Sequence, residues 1–310
     1  MCLYYNREGD TGTVVGVYVD DLLVTGTKQD AVDDFSAGLE TLSIKDLGVV
    51  KKVLGLRISL DDTHGYVLYQ EVVIDALVSD FKLESANYIA RCTRPDICFA
   101  VQKATRQTHT PTVKDWKTAK RIVRYLEGSK TLKLHLNGNG PTTDDIKVEC
   151  WSDADFAADK TDRKSVTGCV LIMDGAVVFW LCKKQSGVAF STMDAEFVAA
   201  SQGSRKLLGL RELFKEQKMA MVEPMSMWMD SQAAIKQLEA EKSTSSAKHV
   251  DILFKFICHH AREGTVVPRF IKSECTMADI LTKSLPAPRL EELRVMFNLM
   301  PFQTDVKEEC

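Results

Sequence analysis

The sequence predicts a mixed α/β layer fold for residues 146–285, and three observations carry that expectation. Strand and helix patterns there run three strands, helix, strand, two helices, strand, helix. The stretch "TGCVLIMDGAVVFWLCKK" places Asp174-Gly175 between two apolar runs, among the strongest short hairpin signals. A long helical pattern, "STMDAEFVAASQGSRKLLGLRELFKEQ", opens with Ser191 followed by Asp194, which resembles a capping box.

Within that half, "IKVECWSDADF" reads as the first strand and "AADKTDRKS" as a polar loop before the hairpin. "MSMWMD" is a short strand that runs into the helix "SQAAIKQLEAE". "AKHVDILFKFICHHAREG" is a further helix, "TVVPRFI" a strand, and a last helix begins at Thr276. Upstream, "NGNGPTTDD" (137–145) marks a linker by its glycines, proline and small polar residues. Residues 1–84 read as a strand, a hairpin in "GVYVDDLLVTG", a helix over about 28–41, and a second hairpin turning at "DDTHG". Residues 85–136 lead into an amphipathic helix, "TVKDWKTAKRIVRYLEG", and 286–310 read as a tail.

The chain has 310 residues, 45% of them hydrophobic and 27% charged, a globular profile with room for about two domains. No apolar run reaches the ~18 residues of a membrane span. The opening "MCLYYNREGD" lacks the basic start and apolar core of a signal peptide, so the expected setting is intracellular, cytoplasmic or nuclear. Nine scattered cysteines with no Cys-x-x-Cys pair argue against zinc or a disulfide framework. The net charge is −3, but it is unevenly spread. Residues 103–133 hold nine Lys/Arg against Asp115 and Glu127. On the basic helix, Trp116, Ala119, Ile122 or Val123, and Leu126 form an apolar stripe, while Lys117, Lys120, Arg121 and Arg124 fall elsewhere. Such a charge run is ordinarily a solvated face; next to a nucleic-acid enzyme it becomes a surface for phosphates.

Four acidic residues stand where a polar group is costly or oddly placed. Asp153 lies inside a strand pattern, Glu196 among Ala195, Phe197 and Val198 on a helix, Asp230 at the end of an apolar strand, and Asp279 within "TMADILTKS". Taken singly, Asp230 and Asp279 could cap helices, Glu196 could face solvent and Asp153 could pair with a lysine. Together they can converge at one sheet edge, as oxygen-only ligands suited to hard cations such as Mg²⁺. Two such ions ~4 Å apart activate water and stabilise the leaving oxygen of a phosphodiester. Asp20-Asp21, in "YVDD", could be an ordinary turn or half of a second metal site. "CHH" (258–260) points in several directions from its helix and has no partner pair at ligand spacing. Trp151, Phe179 and Trp180 alternate with apolar neighbours and read as core.

The run "WSDADFAADKTDRKSVTGCVLIMDGAVVFWLCKKQSGVAFSTMDAEFVAAS", followed in order by "DSQAAI", "AKHVDI" and "MADILTKSL", closely resembles the ribonuclease H domain of copia-type retrotransposon polyproteins. The resemblance implies a ribonuclease-H-like mixed sheet with flanking helices over 146–285. It implies catalytic, metal-holding carboxylates at Asp153, Glu196, Asp230 and Asp279, with Asp155 an alternative for the first. It also implies two Mg²⁺ ions (Mn²⁺ as a substitute) and an RNA–DNA hybrid as the substrate. Ala158 stands where the family usually has glycine, and Asp194-Ala195 replaces a more usual pair. "YVDDLLVTG" and "LGLRISL" resemble the palm of the same family's reverse transcriptase, making Asp20 and Asp21 a remnant polymerase metal pair. The third aspartate and the nucleotide-binding fingers are expected upstream. Between "FKL" and "YIARCTRPDI" only a few residues replace a long connecting segment. The expectation is therefore a truncated palm over 1–84, a basic helical connection over 85–136 and a nuclease domain. Intact polyprotein products of the same element are further expected partners. Lys117, Lys120, Arg121 and Arg124 become candidate backbone contacts. His249 of "AKHVDI" is either a substrate-handling or a packing residue. Two other readings stand beside the nuclease: a binding remnant that no longer cuts, and a non-functional fragment of a decayed element.

Overall fold

The computed structural model describes residues 2–39, 44–61, 65–80, 83–107, 110–137, 145–239 and 248–302. Strands β1 (Cys2–Glu8), β2 (Thr11–Tyr18) and β3 (Asp21–Gly26) form an antiparallel sheet in chain order. Tyr18 pairs with Asp21, so Val19 and Asp20 make a two-residue turn. Val19 has φ +53°, the left-handed region that tight hairpin turns require and that a β-branched residue adopts at a steric cost. Helix α1 (Gln29–Gly38) follows, then β4 (Lys52–Val53), β5 (Leu56–Asp61) and β6 (Gly65–Tyr69). β5 and β6 pair antiparallel as the second hairpin, whose turn at 62–64 lies outside the described residues.

Helices α2 (Glu71–Asp80), α3 (Leu83–Cys92), α4 (Cys98–Ala104) and α5 (Val113–Gly128) lead to β7 (Leu132–Leu136). The basic helix α5 starts where the sequence places it because of a capping box. The Thr112 hydroxyl accepts the Asp115 N–H at 3.3 Å, and the Asp115 carboxylate accepts the Thr112 N–H at 2.9 Å. Ala119, Ile122, Val123 and Leu126 are buried. Trp116, expected in the same stripe, is 47% exposed, with the Lys120 ammonium 5.1 Å from its ring centroid. The buried residues of α5 begin at Ala119, one turn beyond the indole.

Strands β8 (Val148–Asp155), β9 (Val166–Met173) and β10 (Ala176–Lys184) form an antiparallel meander. Asp174 (φ +47°) and Gly175 (φ +88°) make its second turn, as the dipeptide demands. Helix α6 (Thr192–Glu216) is followed by β11 (Met225–Met229), α7 (Gln232–Glu239), α8 (Lys248–Arg262) and β12 (Val266–Phe270). The sheet order is β10-β9-β8-β11-β12, with β11 parallel to both β8 and β12. This is the ribonuclease-H-like mixed sheet that the motif order led to. Its central strands β8 and β9 are covered on both faces, so neighbouring residues serve different cores. Cys150 and Leu171 pack with Phe197, Leu207 and Phe254 under α6 and α8. Val170 and Trp151 pack on the other side with Ile97, Val101, Ile280 and Leu281. The helices of 85–136 therefore share a core with this sheet, and Trp180 Nε1 donates to the Ala90 carbonyl at 2.8 Å. Residues 138–144 of the expected linker lie outside the described residues.

Two expectations at the C-terminal end are corrected. The single helix expected from Thr276 is two, α9 (Asp279–Thr282) and α10 (Ala287–Met296), since "SLPAP" interrupts it and Pro286 serves as the N-cap of α10. The expected tail instead carries α10 and β13 (Leu299–Pro301). β13 pairs antiparallel with β7, completing a second sheet in the order β13-β7-β6-β5-β4. Among the described residues, no helix is long and apolar enough to cross a membrane.

Candidate active site

Parallel pairing of β8 with β11 brings two carboxylates together by register alone. Ser152 pairs with Met229, so the next residues, Asp153 and Asp230, leave adjacent strands side by side. Glu196 arrives from the first turns of α6, on the face of the sheet that carries Cys150. Its Oε1 accepts the Ala154 N–H at 3.2 Å, which ties the helix to the strand that bears Asp153. The ligand oxygens of Asp153, Glu196 and Asp230 all lie within 4.8 Å of one another.

The opposite face supplies α9. Gly168 on β9 permits its close approach: a Cβ there would lie 2.7 Å from Thr282 Cγ2 and 2.9 Å from the Ala278 carbonyl oxygen. The Thr282 hydroxyl donates to Asp153 Oδ2. Lys283, just beyond α9, places its Nζ 2.5 Å from Asp279 Oδ1 and 3.3 Å from Asp153 Oδ1. Asp279 thus sits beside the trio and is linked to it through Lys283. Ser273 donates to Asp230 Oδ2 at 2.7 Å. Gly168→Ala is therefore expected to push α9 off the sheet. Such overpacking costs about 1–3 kcal/mol, and a urea titration against the wild type would show it. An unchanged midpoint would mean that α9 does not depend on this contact.

The electrostatics are those of anions confined together. Burial, then the neighbouring Asp153 and Asp230, push Glu196 up to about 9. Burial raises Asp153 to about 6, against the opposing pull of Lys283 and Thr282. Asp155 is raised as well, mainly by burial. Glu196 Oε2 is buried with no hydrogen-bond partner. A buried, unpaired carboxylate oxygen facing two other carboxylates is a costly arrangement, and a divalent cation relieves it. An all-oxygen donor set fits a hard ion. The three residues therefore can hold a metal.

Lys283, Thr282 and Ser273 were not singled out in the sequence. The signal for Lys283 is there, as an Asp-x-x-x-Lys pair at helical spacing in "DILTK". Asp20 and Asp21 are exposed at the β2–β3 turn, and among the described residues no third acidic ligand joins them. Lys117, Arg121 and Arg124 are exposed along α5, with Lys120 half-buried. The side chain of His249 lies outside the described residues.

Residues 1–95 match the family described as reverse transcriptase (RNA-dependent DNA polymerase). The retrovirus-related Pol polyprotein from transposon TNT 1-94 of Nicotiana tabacum is 26% identical over 333 residues, covering 94% of this chain and 25% of that polyprotein. The corresponding polyprotein from transposon RE1 of Arabidopsis thaliana is 26% identical over 320 residues, covering 91% of this chain and 21% of its own length. The chain thus spans a quarter or less of these curated relatives. Among solved structures, LC11-RNase H1 in complex with an RNA/DNA hybrid is 17% identical, with a TM-score of 0.33, covering 44% of this chain and 94% of that one. The chain is thus similar over most of its length to the retrovirus-related Pol polyproteins of transposons TNT 1-94 and RE1, with a reverse-transcriptase family match over residues 1–95 and a ribonuclease-H-like fold in its C-terminal half.

Proposed function

We propose that the C-terminal half hydrolyses the RNA strand of RNA–DNA hybrids endonucleolytically, using divalent cations held by Asp153, Glu196, Asp230 and Asp279. Mg²⁺ is the expected ion and Mn²⁺ a substitute. The observation that carries this reading is the trio of converging carboxylates, Asp153 and Glu196 buried and Asp230 partly buried, with an unpartnered Glu196 oxygen. When bound, the cations supply the positive charge that activates water and stabilises the leaving oxygen.

The protein's own residues do the remaining work. Thr282 and Lys283 fix the orientation of Asp153, Ser273 fixes Asp230, and the Ala154 N–H fixes Glu196. Glu196 holds a proton at neutral pH and must release it to act as a ligand, so cation binding is coupled to proton release. Discrimination for RNA then rests on the 2′-hydroxyl and the shape of the hybrid. Asp20 and Asp21 take no part in hydrolysis.

Incubating purified protein with an end-labelled hybrid, in Mg²⁺ and in EDTA, tests the proposal. Shortening of the RNA only in Mg²⁺ supports it, and an intact RNA strand in both sinks it. Lys117, Lys120, Arg121 and Arg124 are the proposed backbone contacts. Neutralising Lys117, Lys120 and Arg124 together should reduce the salt dependence of hybrid binding by up to about three units of log–log slope. Binding measured across a KCl series checks this, and an unchanged slope removes α5 from the interface. Intact polyprotein products of the same element are the proposed protein partners.

A further inference from the structure

Lys283 is a charged feature of the site to which the hydrolysis scheme gives no purpose beyond orientation. Its ammonium lies between Asp279 Oδ1, at 2.5 Å, and Asp153 Oδ1, at 3.3 Å. The other Asp153 oxygen takes the Thr282 hydroxyl, so on the α9 side Asp153 is already satisfied. Asp279 has a second cation nearby, Arg289, at 3.9 Å from its other oxygen. Charge on the α9 side of the site is therefore balanced within the protein. The opposite side is not, since Glu196 Oε2 is buried and unpartnered. The two halves of the carboxylate cluster differ in their need for an external cation.

We propose that the Lys283 ammonium is the resident cation of the position between Asp153 and Asp279, and that a second divalent ion enters only by displacing it. The proposal rests on the reading of Asp153, Glu196 and Asp230 as the first cation site. Two features make displacement feasible. The Lys283 side chain is 35% exposed, so it reaches solvent without unfolding anything. It is also a compact charge on a flexible four-carbon stem, able to move while the backbone stays fixed. The Lys283 backbone N–H donates to the Asp279 carbonyl at 3.0 Å, anchoring the main chain from which the side chain swings. By linkage, whatever strengthens the hold of the ammonium weakens the second ion by the same factor.

The test is a titration with Mn²⁺ alone, without nucleic acid, counting bound ions by electron paramagnetic resonance. Wild type, Lys283→Met, Lys283→Gln and Lys283→Arg are compared at one pH, with circular dichroism confirming their fold. The wild type should take one ion tightly and a second at least about tenfold more weakly. In the Met and Gln variants the second ion should tighten at least about tenfold, and in the Arg variant it should stay weak. An unchanged second affinity in Met and Gln, with the first ion still bound, overturns the role of Lys283 and leaves the carboxylate site standing. No bound ion in any of the proteins, or bound ions that are all retained in Asp153→Asn, overturns the site itself and the Lys283 proposal with it. Should Lys283→Met not fold, the Gln and Arg pair decides the question.

Discussion

Glu196→Gln is expected to abolish cleavage while stabilising the cation-free protein, two effects of opposite sign from one atom. Loss of the carboxylate removes a cation ligand, so cleavage should fall on the order of a thousandfold. The stability effect follows from the raised carboxyl. The folded value is about 9 against an ordinary 4.5, so the folded protein holds a proton that the unfolded chain gives up in that window. Stability is greatest below the ordinary value and drains as pH rises toward about 9, the reverse of the usual carboxylate case. An uncharged amide escapes that loss. Thermal melts in EDTA should therefore show the wild type weakening between about pH 5 and about pH 9, and the Gln variant weakening less. Equal cleavage, or parallel melts, would contradict the assignment of Glu196.

The second large effect lies away from the chemistry. Arg94 and Asp96 in "TRPD" are an ion pair with side-chain exposures of 1% and 0%. Arg94 donates to both Asp96 oxygens at 2.9 and 2.8 Å, and to the Ser129 carbonyl and hydroxyl at 3.1 and 2.7 Å. Tyr125 donates its hydroxyl to Asp96 at 2.6 Å and meets Arg294 at 3.2 Å. The network thereby fastens α5 to the turn after α3 and to α10. Arg94→Met keeps the volume but leaves the Asp96 charge buried with only the tyrosine. The expected cost is about 3–5 kcal/mol, as for other buried pairs broken on one side. A urea titration measures it, and a loss under about 1 kcal/mol would mean that the pair is not buried in solution.

What the sequence made legible was set by how local each signal is. Asp174-Gly175 specifies its own turn, Thr112 and Asp115 their own cap, and Ser191 the start of α6, so these elements fell where expected. Carboxylates in apolar patterns stood out because burying a charge demands a reason. The second sheet was not legible, because β7 depends on a partner far along the chain. "LKLHL" alternates apolar and polar residues, yet Lys133 and His135 are as buried as Leu134. Lys133 lies 4.1 Å from the Tyr69 ring centroid, 5.2 Å from that of Phe302, and 3.2 Å from the Glu71 carboxylate. A lysine covered by residues so distant in sequence gives no local sign of its burial. Trp116 failed the other way, as an apolar residue at stripe spacing that stays 47% exposed. Lys283 escaped notice because a basic residue at the end of a helix is ordinary, and only the packing of α9 on Gly168 brings it against Asp153.

The most direct test of the whole account is a cleavage assay on a hybrid labelled on both strands, comparing wild type with Asp230→Asn. Asp230 leaves β11 beside Asp153. The account predicts cuts in the RNA strand alone by the wild type, dependent on Mg²⁺ and stopped by EDTA, and none by the variant. Equal cutting by the two proteins, or cutting that survives EDTA, would contradict it.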